Sequence, residues 1–267
     1  MFEGDCMKKY LDFAVDVAKH AGKIMKKYFV GESGADYKYD NTIVTKADTD
    51  INAYLIAQVK KNFPDHSVDG EEEKFGDSTY VWVCDPVDGT AMFARHLPLS
   101  VFSLALVVNG EPKVGVVYDP WTDNMYTAIK GHGAYRNDTK IHVSDISIDD
   151  KRSVIQYDMW KDAKYDVIDI IRELGHVSYC VSIGSIIRAS MCVATGDFTM
   201  AVFPGGINKH VDIAAVKVIV EEAGGRVTDM FGDEQRYDEE INGALISNGV
   251  NHDEVLDLIR NHLTNKK

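Results

Sequence analysis

Two apolar runs, at residues 101–108 and 112–118, lie on either side of the dipeptide Asn109-Gly110. Asn and Gly tolerate the positive φ angles of a two-residue hairpin turn, so this pair is typical of a connection between antiparallel strands. Further strand-like runs at residues 80–84 and 125–127 flank the hairpin. The pattern therefore predicts a sheet in this region that is at least partly antiparallel.

The rest of the chain shows two different patterns of predicted secondary structure. Apolar residues recur at helical spacing over residues 6–29 and 48–63, which predicts two amphipathic helices joined by a loop at residues 31–41. Beyond about residue 150, strands alternate with helices, which favours a layered α/β arrangement. The predicted strands are 153–157, 177–181, 198–202 and 244–247, and the predicted helices are 163–174, 185–194, 212–223 and 252–263. We therefore expect two tightly packed halves, residues 1–148 and 149–267, that act as one functional unit.

Composition and charge exclude several functions. Lys and Arg number 29 against 42 acidic residues, and the net charge of −13 disfavours binding to a nucleic-acid backbone. The longest apolar stretch is too short to cross a bilayer, and the first residues lack the order of a signal peptide. The four cysteines form no Cys-x-x-Cys pair, so we expect free thiols. These features predict a cytoplasmic protein without a nucleic-acid or membrane partner.

The segment Asp85-Pro86-Val87-Asp88-Gly89-Thr90 directly follows the predicted strand at residues 80–84. Pro86 can bend the chain so that the two carboxylates converge on one point, where hard oxygen ligands suit Mg²⁺. Gly89 allows backbone amides to approach an anion, and Thr90 can begin a helix whose first amides suit a phosphate. For this segment alone, an ordinary Asp-rich turn remains the alternative.

Two other acidic sites strengthen the metal hypothesis. Glu71 lies in the run Gly70-Glu71-Glu72-Glu73, and Asp212 stands at the start of a predicted helix. Taken singly, a solvated acidic loop and a helix N-cap explain them. If these acids shared a cavity with Asp85 and Asp88, each pair about 4 Å apart would repel by about 4 kcal/mol at an effective dielectric constant of about 20. Shared divalent cations would remove that cost.

The order of these motifs resembles the magnesium-dependent, lithium-sensitive phosphatases typified by inositol monophosphatase. Glu71 is similar to the acid of the family's Gly-Glu-Glu motif, and residues 85–90 resemble its Asp-Pro-Ile-Asp-Gly-Thr motif. Residues 211–215 and 222–225 resemble its Trp-Asp-x-Ala-Ala and Glu-Ala-Gly-Gly segments, and residues 44–48 its Val-Thr-x-Ala-Asp segment. The resemblance covers nearly the whole chain and implies an α/β (α+β) fold, a layered α-β-α-β-α sandwich like that of inositol monophosphatase and fructose-1,6-bisphosphatase.

The resemblance also implies roles for individual residues. Glu71, Asp85 and the Val87 carbonyl would hold a first Mg²⁺, and Asp85, Asp88 and Asp212 a second, with a third, weaker ion near Glu71 in the family. Thr90 and Asp48 would form a hydrogen-bonded pair that activates the attacking water. The amides of Gly89 and Thr90 would bind the phosphate. A homodimer is a further implication.

The implied substrate is inositol 1-phosphate, but the leaving-group side departs from inositol-specific members. Gly205 falls by counting where such members carry an acid that binds ring hydroxyls, so we expect several polyol phosphates to be tolerated. The other candidate substrate contacts are Asp88, Gly184, Ser185, Ile186 and Arg188. Histidinol-phosphate phosphatase and fructose-1,6-bisphosphatase remain alternatives on the same scaffold. A non-catalytic protein that binds metal and phosphate is the alternative from another class.

Overall fold

The structure is a computed structural model that describes residues 3–31, 34–37 and 43–264. Its helices, in chain order, are α1 (Glu3–Phe29), α2 (Lys46–Asn62), α3 (Thr90–Phe93), α4 (Ile168–Leu174), α5 (Ile186–Ala194), α6 (His210–Glu222) and α7 (His252–Thr264). Its strands are β1 (Asp36–Tyr37), β2 (Ile43–Val44), β3 (Ser67–Gly70), β4 (Lys74–Phe75), β5 (Tyr80–Asp88), β6 (Val101–Val108), β7 (Glu111–Asp119), β8 (Asn124–Ile129), β9 (Ala134–Arg136), β10 (Thr139–Lys140), β11 (Val154–Tyr157), β12 (Tyr179–Val181), β13 (Met200–Phe203), β14 (Arg226–Thr228) and β15 (Ala244–Ser247). No helix among these residues is both long enough and apolar enough to span a bilayer.

The larger sheet has eight strands in the order β10-β9-β8-β7-β6-β5-β3-β4. Its pairs are antiparallel except for the parallel pair of β3 and β5. The predicted hairpin is confirmed, because β6 and β7 pair antiparallel and both turn residues have positive φ, 54° at Asn109 and 86° at Gly110.

The smaller sheet has five strands in the order β12-β11-β13-β15-β14. Strand β11 is parallel to both of its neighbours, whereas β15 is antiparallel to β13 and β14. Because β11 and β13 are adjacent and parallel, the segments that follow them leave the sheet at the same edge. This edge supplies one wall of the cavity described below.

Three hydrophobic clusters separate five layers. One cluster packs α1 and α2 on the outer face of the larger sheet, a central cluster packs α5 and α6 between the sheets, and a third packs α4 and α7 on the smaller sheet. The α-β-α-β-α sandwich is therefore confirmed. The central cluster draws side chains from both sides of residue 148, as expected for halves that fold as one unit.

Several predicted boundaries were wrong. Helix α4 begins at Ile168 rather than residue 163, because the preceding chain is bound to a loop through the hydrogen bond from Lys164 N to Gly205 O (2.9 Å). Helix α6 begins at His210, two residues before the prediction. Strands β2, β4, β9, β10 and β14, of two or three residues each, were not predicted. The predicted loop at 31–41 contains the strand β1, and its residues 32–33 and 38–41 lie outside the described residues.

The cysteine prediction holds where it can be examined. Cys84, Cys180 and Cys192 are free thiols, and the side chain of Cys6 lies outside the described residues.

Candidate active site

Three aspartates meet at the end of β5. Asp85 and Asp88 belong to that strand and Asp212 to the first turn of α6, and one carboxylate oxygen of each lies within 4.8 Å of the others. The register of β5 against β6 shifts between Asp85 and Asp88, where Pro86 has no N–H to donate to the ladder. All three aspartates are buried.

Glu71 lies beside this cluster because β3 runs parallel to β5. Its backbone N–H donates to the Cys84 carbonyl (3.1 Å), and its side chain lines the same cavity as the three aspartates. The ammonium group of Lys209 lies 3.9 Å from Glu71 Oε1 and 3.3 Å from Asp212 Oδ2. The four acids therefore share one cavity, as the metal hypothesis required.

Burial and the repulsion between the carboxylates destabilise the ionised cluster, so that cation binding would stabilise it. Burial, then Glu71 and Asp212, raise the pKa of Asp85 well above its usual range. Burial, then Asp212, raise the pKa of Asp88 to about 8. For Lys209, burial opposes the charge, but Asp212, Glu71 and Asp85 outweigh it and raise its pKa. One lysine cannot balance four carboxylates, so the charge balance favours further cations.

The donor set fits a hard divalent ion. Carboxylate oxygens from Glu71, Asp85, Asp88 and Asp212, with the Val87 carbonyl, are the ligands that Mg²⁺ prefers. The neighbouring Cys84 does not offer a thiolate, because burial raises its thiol pKa well above the usual value. His210 Nε2 is already engaged by Asp69 Oδ2 at 3.1 Å.

The structure does not form the expected hydrogen bond between Thr90 and Asp48. Thr90 Oγ1 donates to the Val87 carbonyl (2.8 Å), while Asp48 Oδ2 accepts from both the backbone N–H (2.8 Å) and the hydroxyl (2.5 Å) of Thr45. This arrangement is a capping box, in which Asp48 is the third residue of α2 and Thr45 its N-cap. The local cap therefore takes one oxygen of Asp48.

The other carboxylate oxygen of Asp48 remains available. Asp48 is fully buried, and its Oδ1 has no hydrogen-bond partner among the described residues. Burial raises the pKa of Asp48 to about 7, although hydrogen bonds from Thr45 oppose the shift and Glu71 adds to it. Asp48 is close enough to Glu71 for their charges to repel, but it is not among the residues that line the cavity.

A glycine turn brings the larger sheet against α5. Gly89 has φ of 82°, and a Cβ atom there would lie 3.0 Å from the Gly184 carbonyl and 3.2 Å from Ser185 Cβ, so no larger residue fits. Ser185 Oγ donates to Asp88 Oδ2 (2.5 Å), and Ile187 N donates to the same oxygen (2.9 Å). The first turn of α5 thus orients Asp88.

The predicted substrate contacts therefore divide into two groups. Asp88, Gly89, Thr90, Gly184 and Ile186 line the cavity. Ser185, in contrast, is engaged by Asp88 and caps α5 by accepting from Arg188 N (3.1 Å).

Two predicted substrate residues, Arg188 and Gly205, are not among those that line the cavity. Arg188 forms an ion pair with the buried Asp119 (2.9 Å) and donates to the Pro98 carbonyl (3.3 Å), so its charge is already satisfied away from the cavity. Gly205 has φ of 70°, and a Cβ atom there would lie 2.5 Å from the backbone N of Gly243. A side chain at position 205 would therefore clash with the Gly243 backbone, and Gly205 is not among the residues that line the cavity.

The cavity, of about 710 Å³, contains residues that the sequence motifs did not indicate. The segment after β11 lines the cavity together with the motif residues 89–92, through Asp158, Met159, Trp160 and Lys161. Burial, then Asp212, raise the pKa of Asp158 to about 7. Only the position of Asp158 at a predicted strand end could have indicated it, and Lys209 could have been found by its i, i+3 spacing from Asp212.

The fold and this oxygen-rich cavity are those of phosphoric monoester hydrolases that depend on metal ions. Residues 7–264 match the model of the Inositol monophosphatase family, and the chain belongs to that family. The resemblance recognised from the motifs is thereby confirmed.

Relatives from several organisms support this family assignment. The chain is 30% identical to inositol monophosphatase 1 of Bos taurus over 240 residues, which cover 85% of this chain and 86% of that protein. It is also 30% identical to a fructose-1,6-bisphosphatase/inositol-1-monophosphatase of Thermotoga maritima, with coverage of 93% and 95%. The solved IMPase structure from Thermotoga maritima superposes with a TM-score of 0.85 at 30% identity, covering 95% of this chain and 97% of that one. These likenesses establish the fold and the phosphatase class, whereas the relatives' names differ in substrate.

Proposed function

We propose that this protein hydrolyses a small phosphate monoester with Mg²⁺, and that inositol 1-phosphate is its main substrate. The observation that carries the proposal is the convergence of Asp85, Asp88 and Asp212 within 4.8 Å, beside the glycine turn at Gly89. Such a cluster is costly unless cations bind it, and a doubly charged phosphate ester needs cations for its hydrolysis.

The residues present define which groups would hold the ions. Glu71, Asp85 and the Val87 carbonyl would bind one Mg²⁺, and Asp85, Asp88 and Asp212 a second, with room for a weaker third near Glu71. When bound, Mg²⁺ supplies positive charge for the phosphate and lowers the pKa of a coordinated water. We assign the rest of the chemistry to this chain's own side chains and amides.

Asp48 and Thr90 would handle the proton of the attacking water. The open Oδ1 of Asp48 can accept it, and Thr90 Oγ1 can orient the water once its hydroxyl turns from the Val87 carbonyl. The backbone amides of Gly89 and Thr90 would hold phosphate oxygens at the start of α3. Lys209 would offset part of the carboxylate charge throughout.

Further properties are implied by the family resemblance of the motifs and stay proposals. The protein would be a cytoplasmic homodimer, inhibited by lithium at millimolar levels. Residues 1–148 and 149–267 would act as one unit, since Glu71, Asp85 and Asp88 come from the first half and Asp212 from the second. Sedimentation and a lithium titration test the dimer and the inhibition directly.

The experiment for the proposed function is a panel of esters. Phosphate release is measured in Mg²⁺ with inositol 1-phosphate, glycerol 2-phosphate, histidinol phosphate and fructose 1,6-bisphosphate. We expect the highest kcat/KM for inositol 1-phosphate. If histidinol phosphate or the bisphosphate is preferred, the reaction class stands and the substrate assignment fails. If no ester is hydrolysed while Mg²⁺ and phosphate bind, the protein is the non-catalytic alternative.

A further inference from the structure

The cavity wall after β11 is attached to β13 and to the chain that follows β13. Asp158 N donates to the Val202 carbonyl (3.2 Å), and Lys164 N donates to the Gly205 carbonyl (2.9 Å). The first hydrogen bond reaches β13 itself, and the second reaches the chain beyond it. The wall is therefore backed by regular structure, although Met159 within it is 55% exposed.

An indole ring forms part of this wall. Trp160 lines the cavity and packs against the buried Phe203, with ring centroids 5.5 Å apart and an interplanar angle of 42°. A Cβ atom at Gly206 would lie 3.3 Å from Trp160 Cζ2, closer than side-chain atoms usually approach. Glycine at position 206 therefore provides the space in which the indole lies.

A carboxylate is held in the same wall. Gln156 Nε2 donates to Asp158 Oδ1 (3.0 Å), and Gln156 Oε1 accepts from Ile183 N (3.1 Å). Gln156 is fully buried, so its amide fixes Asp158 relative to the segment before α5. A carboxylate has about four acceptor sites, and the amide of Gln156 uses one of them. Asp158 therefore keeps acceptor capacity for hydroxyl groups in the cavity.

We propose that Asp158 and Trp160 form the leaving-group subsite and make the enzyme selective for phosphate esters of cyclic polyols. An aromatic ring packs on the apolar C–H groups of a sugar or cyclitol ring, while a fixed carboxylate accepts from its hydroxyls. This inference rests on the proposed function and reverses the broad tolerance expected from Gly205. The carboxylate of this subsite comes from the segment after β11, the parallel neighbour of β13.

The selectivity follows from how many contacts each ester makes with Asp158 and Trp160. A cyclic polyol can pair Asp158 and cover the indole together, whereas a short acyclic alcohol such as glycerol reaches one of them at most. Apolar contacts in an enzyme pocket discriminate by about 10- to 200-fold, and hydrogen-bonded hydroxyls by more. Because this wall is partly exposed, we expect the lower range for each residue.

The test compares two substrates in four variants. The kcat/KM values for inositol 1-phosphate and glycerol 2-phosphate are measured in Mg²⁺ for Trp160→Ala, Trp160→Phe and Asp158→Asn. Tyr179→Ala is the control, since Tyr179 is 69% exposed and does not line the cavity. We expect Trp160→Ala and Asp158→Asn to lose about 10- to 100-fold with inositol 1-phosphate and less than about 3-fold with glycerol 2-phosphate. Trp160→Phe should keep most of the activity, because it retains an aromatic face.

A binding measurement separates this inference from the proposed function. Tryptophan fluorescence is titrated with myo-inositol in the presence of Mg²⁺ and inorganic phosphate. The signal should change in the wild type and in Tyr179→Ala, but not in Trp160→Phe. The subsite would be overturned if Trp160→Ala and Asp158→Asn lost equal activity with both substrates. It would also be overturned if these variants kept the wild-type ratio of kcat/KM values and Trp160→Phe kept the wild-type fluorescence change. If the wild type hydrolyses no ester, the proposed function fails, and the fluorescence titration alone still decides whether the subsite binds a cyclic polyol.

Discussion

The two ends of the cavity are built in different ways. At the metal end, Asp85, Asp88 and Asp212 are each at most 7% exposed and belong to β5 and α6. At the leaving-group end, Asp158 and Trp160 lie in a connecting segment beyond β11, next to a largely exposed methionine. The contrast separates chemistry from selectivity, because regular elements fix reacting groups rigidly while connecting segments can vary without disturbing the fold.

The largest effect should come from removing a carboxylate at the metal end. Asp212→Asn takes away one of the three converging charges, so it should weaken Mg²⁺ binding and lower the rate. High Mg²⁺ concentrations should restore part of the loss, because weaker binding is overcome by mass action. Phosphate release across a Mg²⁺ titration measures both effects.

Asp158→Asn is the matched variant at the leaving-group end. It removes a carboxylate from the same cavity but should leave the Mg²⁺ concentration for half-maximal rate within about 3-fold of the wild type, since Asp158 lies outside the converging cluster. If both variants shifted that concentration equally, the division between the two ends would be wrong.

A smaller effect is expected from the group that orients water. Thr90→Ala should lose about 10²- to 10⁴-fold in kcat, the usual scale of general acid–base assistance. Its affinity for Mg²⁺, measured calorimetrically, should change little, because Thr90 supplies none of the oxygens proposed to bind the ions. Full rescue of Thr90→Ala by Mg²⁺ would instead assign Thr90 to metal binding or folding.

The smallest effect concerns stability without metal. Asp48 and Asp88 have pKa values raised to about 7 and about 8, so in chelator the folded protein keeps protons that the unfolded chain releases above about pH 4. The folded state binds more protons in that range, and its stability must therefore fall as the pH rises from about 4 to about 8.

Thermal unfolding tests this directly. In chelator, the midpoint at pH 8 should lie below that at pH 5, by about 2–4 °C for each kcal/mol lost. Mg²⁺ should raise the midpoint most at the higher pH, where the carboxylates are ionised. A chelated protein that became more stable over this range would contradict the charge repulsion assigned to the metal end.

Sequence patterns could predict the Asp85–Asp88 pair of the metal end because its information is local, whereas Glu71 and Asp212 were joined to it through the resemblance of the motifs. Asp85 and Asp88 are separated by two residues, and the bulge that unites them is signalled by Pro86. The leaving-group end depends on contacts between distant segments. Asp158 lines the cavity because β11 lies beside β13, and Gly205, packed against Gly243, does not line it. Neither spacing nor composition carries that information.

The same distinction applies to the fold. The Asn109-Gly110 hairpin follows from turn chemistry, whereas the α-β-α-β-α layers were implied by the family resemblance, and both were confirmed. The start of α4 did not follow, because a long-range hydrogen bond from Lys164 to Gly205 holds the chain before it. Likewise, the capping box that engages Asp48 competes with the expected bond to Thr90.

The most direct measurement is phosphate release by protein stripped of metal with excess chelator, before and after Mg²⁺ is added, using the ester with the highest kcat/KM. If the converging carboxylates work through bound metal, turnover is absent in chelator and returns with Mg²⁺. Undiminished turnover in excess chelator would contradict a metal-dependent reaction at Asp85, Asp88 and Asp212.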